Sequence, residues 1–301
     1  RKRELNKRRG KGKKYAEIQR VRLGSRLLAY LPSRVNDGLI EVLKRFREKA
    51  EQVGIQQFFI QTHFESPLEV TEEVIQATRR LLEAGWIITN QAVFTVAVSR
   101  RGHTARLREV LNRIGILTYY TFSVKGFEEN YALFAPNSRS LQEMLEEKVY
   151  GDLPVELEKE ILELLKYPER IPSELPDLLD KYWQPFLATD RNVMNLPGIG
   201  KSMTYQTVGM TKEGKRILRF SLDVGRRHSP QVDHEGEIYI VESKSIAAYL
   251  RQLQALGERV EDYSSLWDYT EGRTESRFAL FEYPEPRIEI TGDFTNLEID
   301  S

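Results

Sequence analysis

Cysteine is absent from all 301 residues. Disulfides, thiolate zinc sites and thiolate-held clusters are therefore excluded within this chain. No apolar run approaches the ~18–20 residues that cross a bilayer, and no leader peptide is visible; a cytoplasmic protein without a membrane partner is the expectation. An excess of either charge is also missing: 45 Lys and Arg stand against 45 Asp and Glu, so the molecule as a whole is not a polyanion binder. No G-x-G-x-x-G follows the first apolar run, which counts against a dinucleotide fold. The first residue is Arg1 rather than Met, which leads us to expect a portion of a longer protein.

What is present is a regular alternation. Residues 1–14 form a basic block of nine cations and one acid, expected to be a solvated loop or tail. Over 15–150, strand patterns at Ala16–Leu23, Ile55–Thr62, Trp86–Phe94 and Ile116–Val124 alternate with helical patterns at Asn36–Val53, Thr71–Ala84, Thr104–Ile114 and Ser138–Val149. Continuous apolar strands separated by amphipathic helices predict a parallel sheet covered by helices, either a partial (β/α) barrel or an open doubly wound sheet. Thr71, followed by Glu72 and Glu73 and ended by Gly85, carries the start and stop signals of one such helix.

Residues 151–188 break the rhythm with two helical patterns, Pro154–Lys166 and about Glu174–Lys181; they read as a helical insertion that would serve as a lid. Residues 189–235 hold a last barrel strand, the glycine-containing stretch Asn195-Leu-Pro-Gly-Ile-Gly-Lys201 and a hairpin, Met203–Met210 and Arg216–Val224 around Thr211-Lys-Glu-Gly214. Residues 236–301 form an irregular α+β extension. It contains a strand at Glu237–Glu242, a helix over Ser243–Leu256 capped by Ser243, and Trp267, Tyr269 and Phe281 as anchors.

In parallel βα sheets, ligands bind at the C-terminal ends of strands. The residues there are Gly24-Ser25-Arg26, then His63-Phe64-Glu65, then Asn90 and Gln91, then Lys125-Gly126, and Asn195 with Lys201 beyond it. Singly, His63 or Gln91 reads as a satisfied structural group; together they predict one polar edge. A lysine on a glycine loop reaches a phosphate or an aldehyde cofactor.

These residues resemble a known family. Gln61-Thr-His-Phe-Glu-Ser-Pro67, a helix, Ala84-Gly85 and Asn90-Gln-Ala-Val93 are similar to the T-H-F-N-H-P … A-G … N-Q-x-V pattern of the lysine 2,3-aminomutase (KamA-like) family of radical S-adenosylmethionine (SAM) enzymes. Arg22-Leu-Gly-Ser-Arg26 resembles its R-I-G-T-R, Leu31-Pro-Ser-Arg34 its L-P-x-R, Tyr119-Tyr120 its P-Y-Y, and Asn195 to Lys201 its D-A-P-G-G-G-G-K.

The resemblance implies a truncated radical SAM (β/α) barrel that uses SAM, a [4Fe-4S] cluster and pyridoxal phosphate (PLP) to move an amino group between adjacent carbons of an amino acid. It implies Lys201 as the PLP-bearing residue and His63, Gln91, Asn90, Arg26 and Phe122 as cofactor contacts. Lys125 and Asn195 would be substrate contacts. An amino acid, as a small-molecule substrate, would be the partner, in a self-associating enzyme; nucleic acid is not an expected partner.

The chain departs from that family in three ways. Its C-x-x-x-C-x-x-C motif is missing, so cluster ligands would lie upstream and these residues alone would be inactive. The two acids that would grip a lysine ammonium fall on Lys125 and Asn195, which suits a carboxylate-tailed substrate such as glutamate. The glycine loop is one residue shorter, and the family tyrosine beside PLP is Phe122. A reading of another class is a non-catalytic family member or binding protein whose basic N-terminal segment meets nucleic acid or an acidic partner.

Overall fold

The computed structural model describes residues 1–124, 131–148, 153–188, 192–196, 201–203, 206–212, 214–221, 237–242 and 244–268. The elements begin with α1 (Lys2–Lys7), β1 (Arg20–Gly24), α2 (Leu27–Tyr30), α3 (Asp37–Gln52), β2 (Gln57–Thr62) and α4 (Glu72–Glu83). There follow β3 (Ile87–Val93), α5 (His103–Arg113), β4 (Ile116–Val124), α6 (Asn137–Gln142), α7 (Val155–Leu164) and α8 (Ile171–Lys181). The last are β5 (Asn192–Leu196), β6 (Lys201–Met203), β7 (Gln206–Met210), β8 (Arg216–Ser221), β9 (Glu237–Val241), α9 (Ile246–Ala255) and a 3-10 segment, Val260–Trp267. None of the helices among the described residues is long and apolar enough to cross a membrane.

The chain divides into two units. The first comprises 1–91, 107–119 and 153–187. It holds the expected α/β core: a parallel sheet in the order β1, β2, β3, β4, with β1 outermost. Gly24 of β1 lies beside Gln61 of β2, and Thr62 lies beside Asn90 of β3. Local chemistry sets the covering helices. The Asn36 side chain accepts from Leu39 N–H at 3.1 Å, and Thr71 accepts from Val74 N–H at 3.4 Å, which caps α3 and α4. Gly115, with φ +87°, ends α5 and has Leu82 and Pro172 packed over it. Trp86 and Phe58 are buried with ring centroids 5.5 Å apart; burying each such ring contributes roughly 1.5–3 kcal/mol. The two helices at 153–187 share this core through Leu157, Ile161, Leu164, Leu175 and Leu179.

The second unit comprises 92–106, 120–152 and 188–301. Here Thr121–Val124 of β4 run parallel to Asn192–Asn195 of β5, and β5 pairs antiparallel with β6. A separate antiparallel sheet has the order β7, β8, β9. Phe94, Val96, Ala135, Tyr249, Leu253, Tyr263 and Leu266 form the core.

Several boundaries differ from those read in the sequence. The N-terminal block is not all loop: α1 forms and buries Asn6. The first strand starts at Arg20, not Ala16. The helix expected at Ser138–Val149 changes to a π turn over Glu143–Glu147. The strand expected at Met203–Met210 is two strands in two sheets. The cap of α9 is Ser245, whose hydroxyl accepts from Ala248 N–H at 3.2 Å, and not Ser243. Trp267 is 43% exposed, so Tyr263 and Leu266 anchor that segment instead. Tyr269 and Phe281 lie outside the described residues.

Candidate functional site

In the first unit, the ends of three successive parallel strands carry the polar groups. After β1, Ser25 N–H donates to the Gln61 carbonyl at 2.9 Å, and the Ser25 hydroxyl accepts from Leu27 N–H at 3.1 Å. This turns the chain into α2 and places Arg26 at its start, with the guanidinium 4.3 Å above the Tyr30 ring. After β2 comes His63, half-buried. Burial, and then the charge of Arg26, hold its imidazole below the ordinary histidine range. A neutral imidazole both donates and accepts hydrogen bonds, so it suits an uncharged polar partner.

Asn90 and Gln91 are consecutive in β3, so their side chains go to opposite faces. Gln91 accepts from the Gln61 amide. Asn90, 3% exposed, turns to Phe64: its Oδ1 accepts from Phe64 N–H at 2.6 Å and its Nδ2 donates to Phe64 C=O at 3.1 Å. The Glu69 carboxylate fastens the next two residues, accepting from Glu65 N–H at 2.5 Å and Ser66 N–H at 2.9 Å. Residues 64–66 thus have their backbone amides claimed one after another, between His63 and the following 3-10 turn. Glu69 was not among the sequence candidates. Its signal is the S-x-x-E spacing Ser66-Pro-Leu-Glu69, a capping box. Gln61 was missed as well, although it sits inside the quoted motif.

Arg26, His63 and Gln91 therefore lie at neighbouring strand ends in the first unit, while Asn90, on the other face of β3, acts on the backbone beside His63. Among the described residues, three other candidates lie in the second unit. Phe122 is buried in β4, and its carbonyl accepts from Phe94 N–H at 2.8 Å. Asn195 is in register with Val124, the residue before Lys125; Lys125 itself lies outside the described residues. Lys201 opens β6 in register with Leu196, at the end of the glycine-containing stretch, whose residues 197–200 lie outside the described residues. Among the described residues, no group of three or more His, Cys, Asp or Glu is placed to hold a metal ion.

A parallel sheet with helices between its strands defines an α/β protein, and folds of this kind bind ligands at the strand ends, where these polar side chains lie. No family model matches the chain. An uncharacterized KamA family protein of Methanocaldococcus jannaschii is 28% identical over 255 residues, 83% of this chain and 34% of that protein. Glutamate 2,3-aminomutase of Clostridioides difficile is 32% identical over 114 residues, 38% of this chain and 25% of that enzyme. L-lysine 2,3-aminomutase of Bacillus subtilis is 28% identical over 126 residues, 42% of this chain and 25% of that enzyme. The chain is thus a homologue of the KamA and lysine 2,3-aminomutase proteins, and it spans about a third or less of the length of these relatives.

Proposed function

We propose that the chain forms part of a radical SAM aminomutase, an isomerase that moves an amino group between adjacent carbons of an amino acid, built on a truncated radical SAM barrel. The observation that supports this best is the gathering of Arg26, His63, Gln61 and Gln91 at three neighbouring strand ends, within the stretch that carries the family resemblance.

The donor set fits two of the family's cofactors. SAM and PLP present carboxylate, phosphate, amine and heterocyclic groups. The exposed guanidinium of Arg26 complements an anionic group. The neutral imidazole of His63 and the paired amides of Gln61 and Gln91 suit uncharged polar atoms. Lys201 is the residue that would carry PLP, with Phe122 as an apolar neighbour. When bound, these cofactors supply the radical and hold the migrating nitrogen; the chain's own residues bind, orient and exclude water. The [4Fe-4S] cluster does not fit this chain, which has no cysteine.

For the substrate we favour a carboxylate-tailed amino acid over lysine. The resemblance puts the cation Lys125 and the neutral Asn195 where two acids would hold an ammonium, and one relative is a glutamate 2,3-aminomutase.

Borohydride reduction after incubation with PLP, followed by peptide mapping, tests the cofactor assignment. A pyridoxyl mark on Lys201 is expected; a mark elsewhere, or none, overturns it. Robust turnover of lysine over glutamate by the full-length enzyme would overturn the substrate.

A further inference from the structure

Residues 1–14 carry nine basic side chains and one acid. A tail of that composition would spread its charges apart in solvent. Here it is fastened. Asn6 is 2% exposed. Its Oδ1 accepts from Tyr15 N–H at 2.7 Å, and its Nδ2 donates to Tyr15 C=O at 2.8 Å and to Glu17 at 2.8 Å. The amide serves as a rung between two chain segments and closes residues 7–14 into a loop. Arg3 adds a second fastening, donating to the Ile18 carbonyl at 2.9 Å and the Gly54 carbonyl at 2.5 Å. Gly54 has φ +85°, and a Cβ there would meet the Arg3 guanidinium at 1.8 Å, so this docking requires the glycine.

The closed loop presents Lys7, Arg8, Arg9, Lys11, Lys13 and Lys14, all exposed. Lys7 pairs with Glu4 at 3.1 Å, and Arg9 lies 4.2 Å over the Tyr15 ring. Among the described residues, no acid pairs with Arg8, Lys11, Lys13 or Lys14. Four uncompensated cations in seven residues repel one another, and the anchors keep the chain from relieving that repulsion.

We propose that loop 7–14 is a docking surface for the phosphate backbone of single-stranded RNA, with the Tyr15–Arg9 pair offering a stacking face to a base. Tyr15 is 44% exposed, which leaves its ring accessible. Between Leu5 and Tyr15 the sequence has no apolar side chain to enter a bilayer, which disfavours a lipid surface. The inference is independent of the aminomutase reading and of the Lys201 result.

Fluorescence anisotropy of the full chain with a labelled mixed-sequence 20-nucleotide RNA, from 50 to 300 mM KCl, tests it. Neutralising four phosphates gives a log–log salt slope of about −3. The variant K11E/K13E/K14E, with an unchanged circular dichroism spectrum, loses at least tenfold in affinity. Asn6→Ala keeps every charge but opens the loop, and binds several-fold more weakly. Wild-type binding by the charge-reversed protein, or by Asn6→Ala, would overturn the proposal. So would tighter binding to phosphatidylserine vesicles than to RNA.

Discussion

Replacing Asn90 with alanine removes two hydrogen bonds from the backbone of Phe64, a fully buried residue. Leaving that N–H and C=O without partners costs about 2–3 kcal/mol, measurable as a lower urea midpoint at unchanged slope. His63 gives a pH-dependent readout. Its folded pKa lies below the ordinary value of 6.5, so the folded state binds fewer protons than the unfolded chain between the two values. That contribution is fully present above pH 6.5 and is lost as pH falls through the folded pKa. Melting temperatures from pH 7 to pH 5 should fall more steeply for the wild type than for His63→Gln; equal slopes would refute the assignment. The sequence marks His63 and Gln91 as polar groups at strand ends. It does not mark Asn90 as a clamp on Phe64, because that role depends on which face of β3 each amide takes.

Helix α4 shows how much an element owes to local code. Thr71, Glu72 and Gly85 announce its ends, and the structure places them there. Thr71→Ala should cost about 1 kcal/mol of stability. Gly115→Ala should cost more, about 2 kcal/mol or above, since it adds strain at φ +87° to a contact of 2.9 Å with Leu82; calorimetry of the two variants checks the order. Helix α4 is legible because its buried residues, Val74, Ala77, Thr78, Leu81 and Leu82, recur at the helical period, and β2 and β3 because they are nearly continuous buried runs. Misreadings occur where neighbours in space decide. Residues 203–210 look like one strand, yet Met203 pairs with β5 and Gln206–Met210 pair with β8, a choice of partner that no local pattern encodes. The π turn at Glu143–Glu147 is similar. Its carboxylates meet Thr104, Arg101 and Arg139, all distant in sequence from the turn or set by its geometry.

In the whole molecule, the second unit is held by polar groups as much as by apolar ones. Arg139 is fully buried, pairs with Glu147, donates to the Ser99 carbonyl at 2.9 Å and lies 5.5 Å from the Tyr263 ring. The Tyr263 hydroxyl accepts from Arg101 N–H at 2.9 Å and donates to Glu258 at 2.8 Å. Burial pushes that phenol up to about 12, above the ordinary tyrosine value of about 10. Its contribution to stability is therefore complete below about pH 10 and is lost as pH rises toward 12. Urea midpoints at pH 8 and pH 11 should differ more for the wild type than for Tyr263→Phe.

The outermost position of β1 has a practical corollary for handling the protein. Among the described residues no strand pairs with the outer side of β1, so that side offers backbone donors and acceptors that an extended peptide can copy, the usual starting point for fibrous precipitation. Arg20 and Arg22, both exposed, deter stacking of like molecules through charge. Salt shortens the reach of that deterrent, so concentrated stocks should cloud as ionic strength rises, and a double valine replacement at these two positions should cloud without added salt.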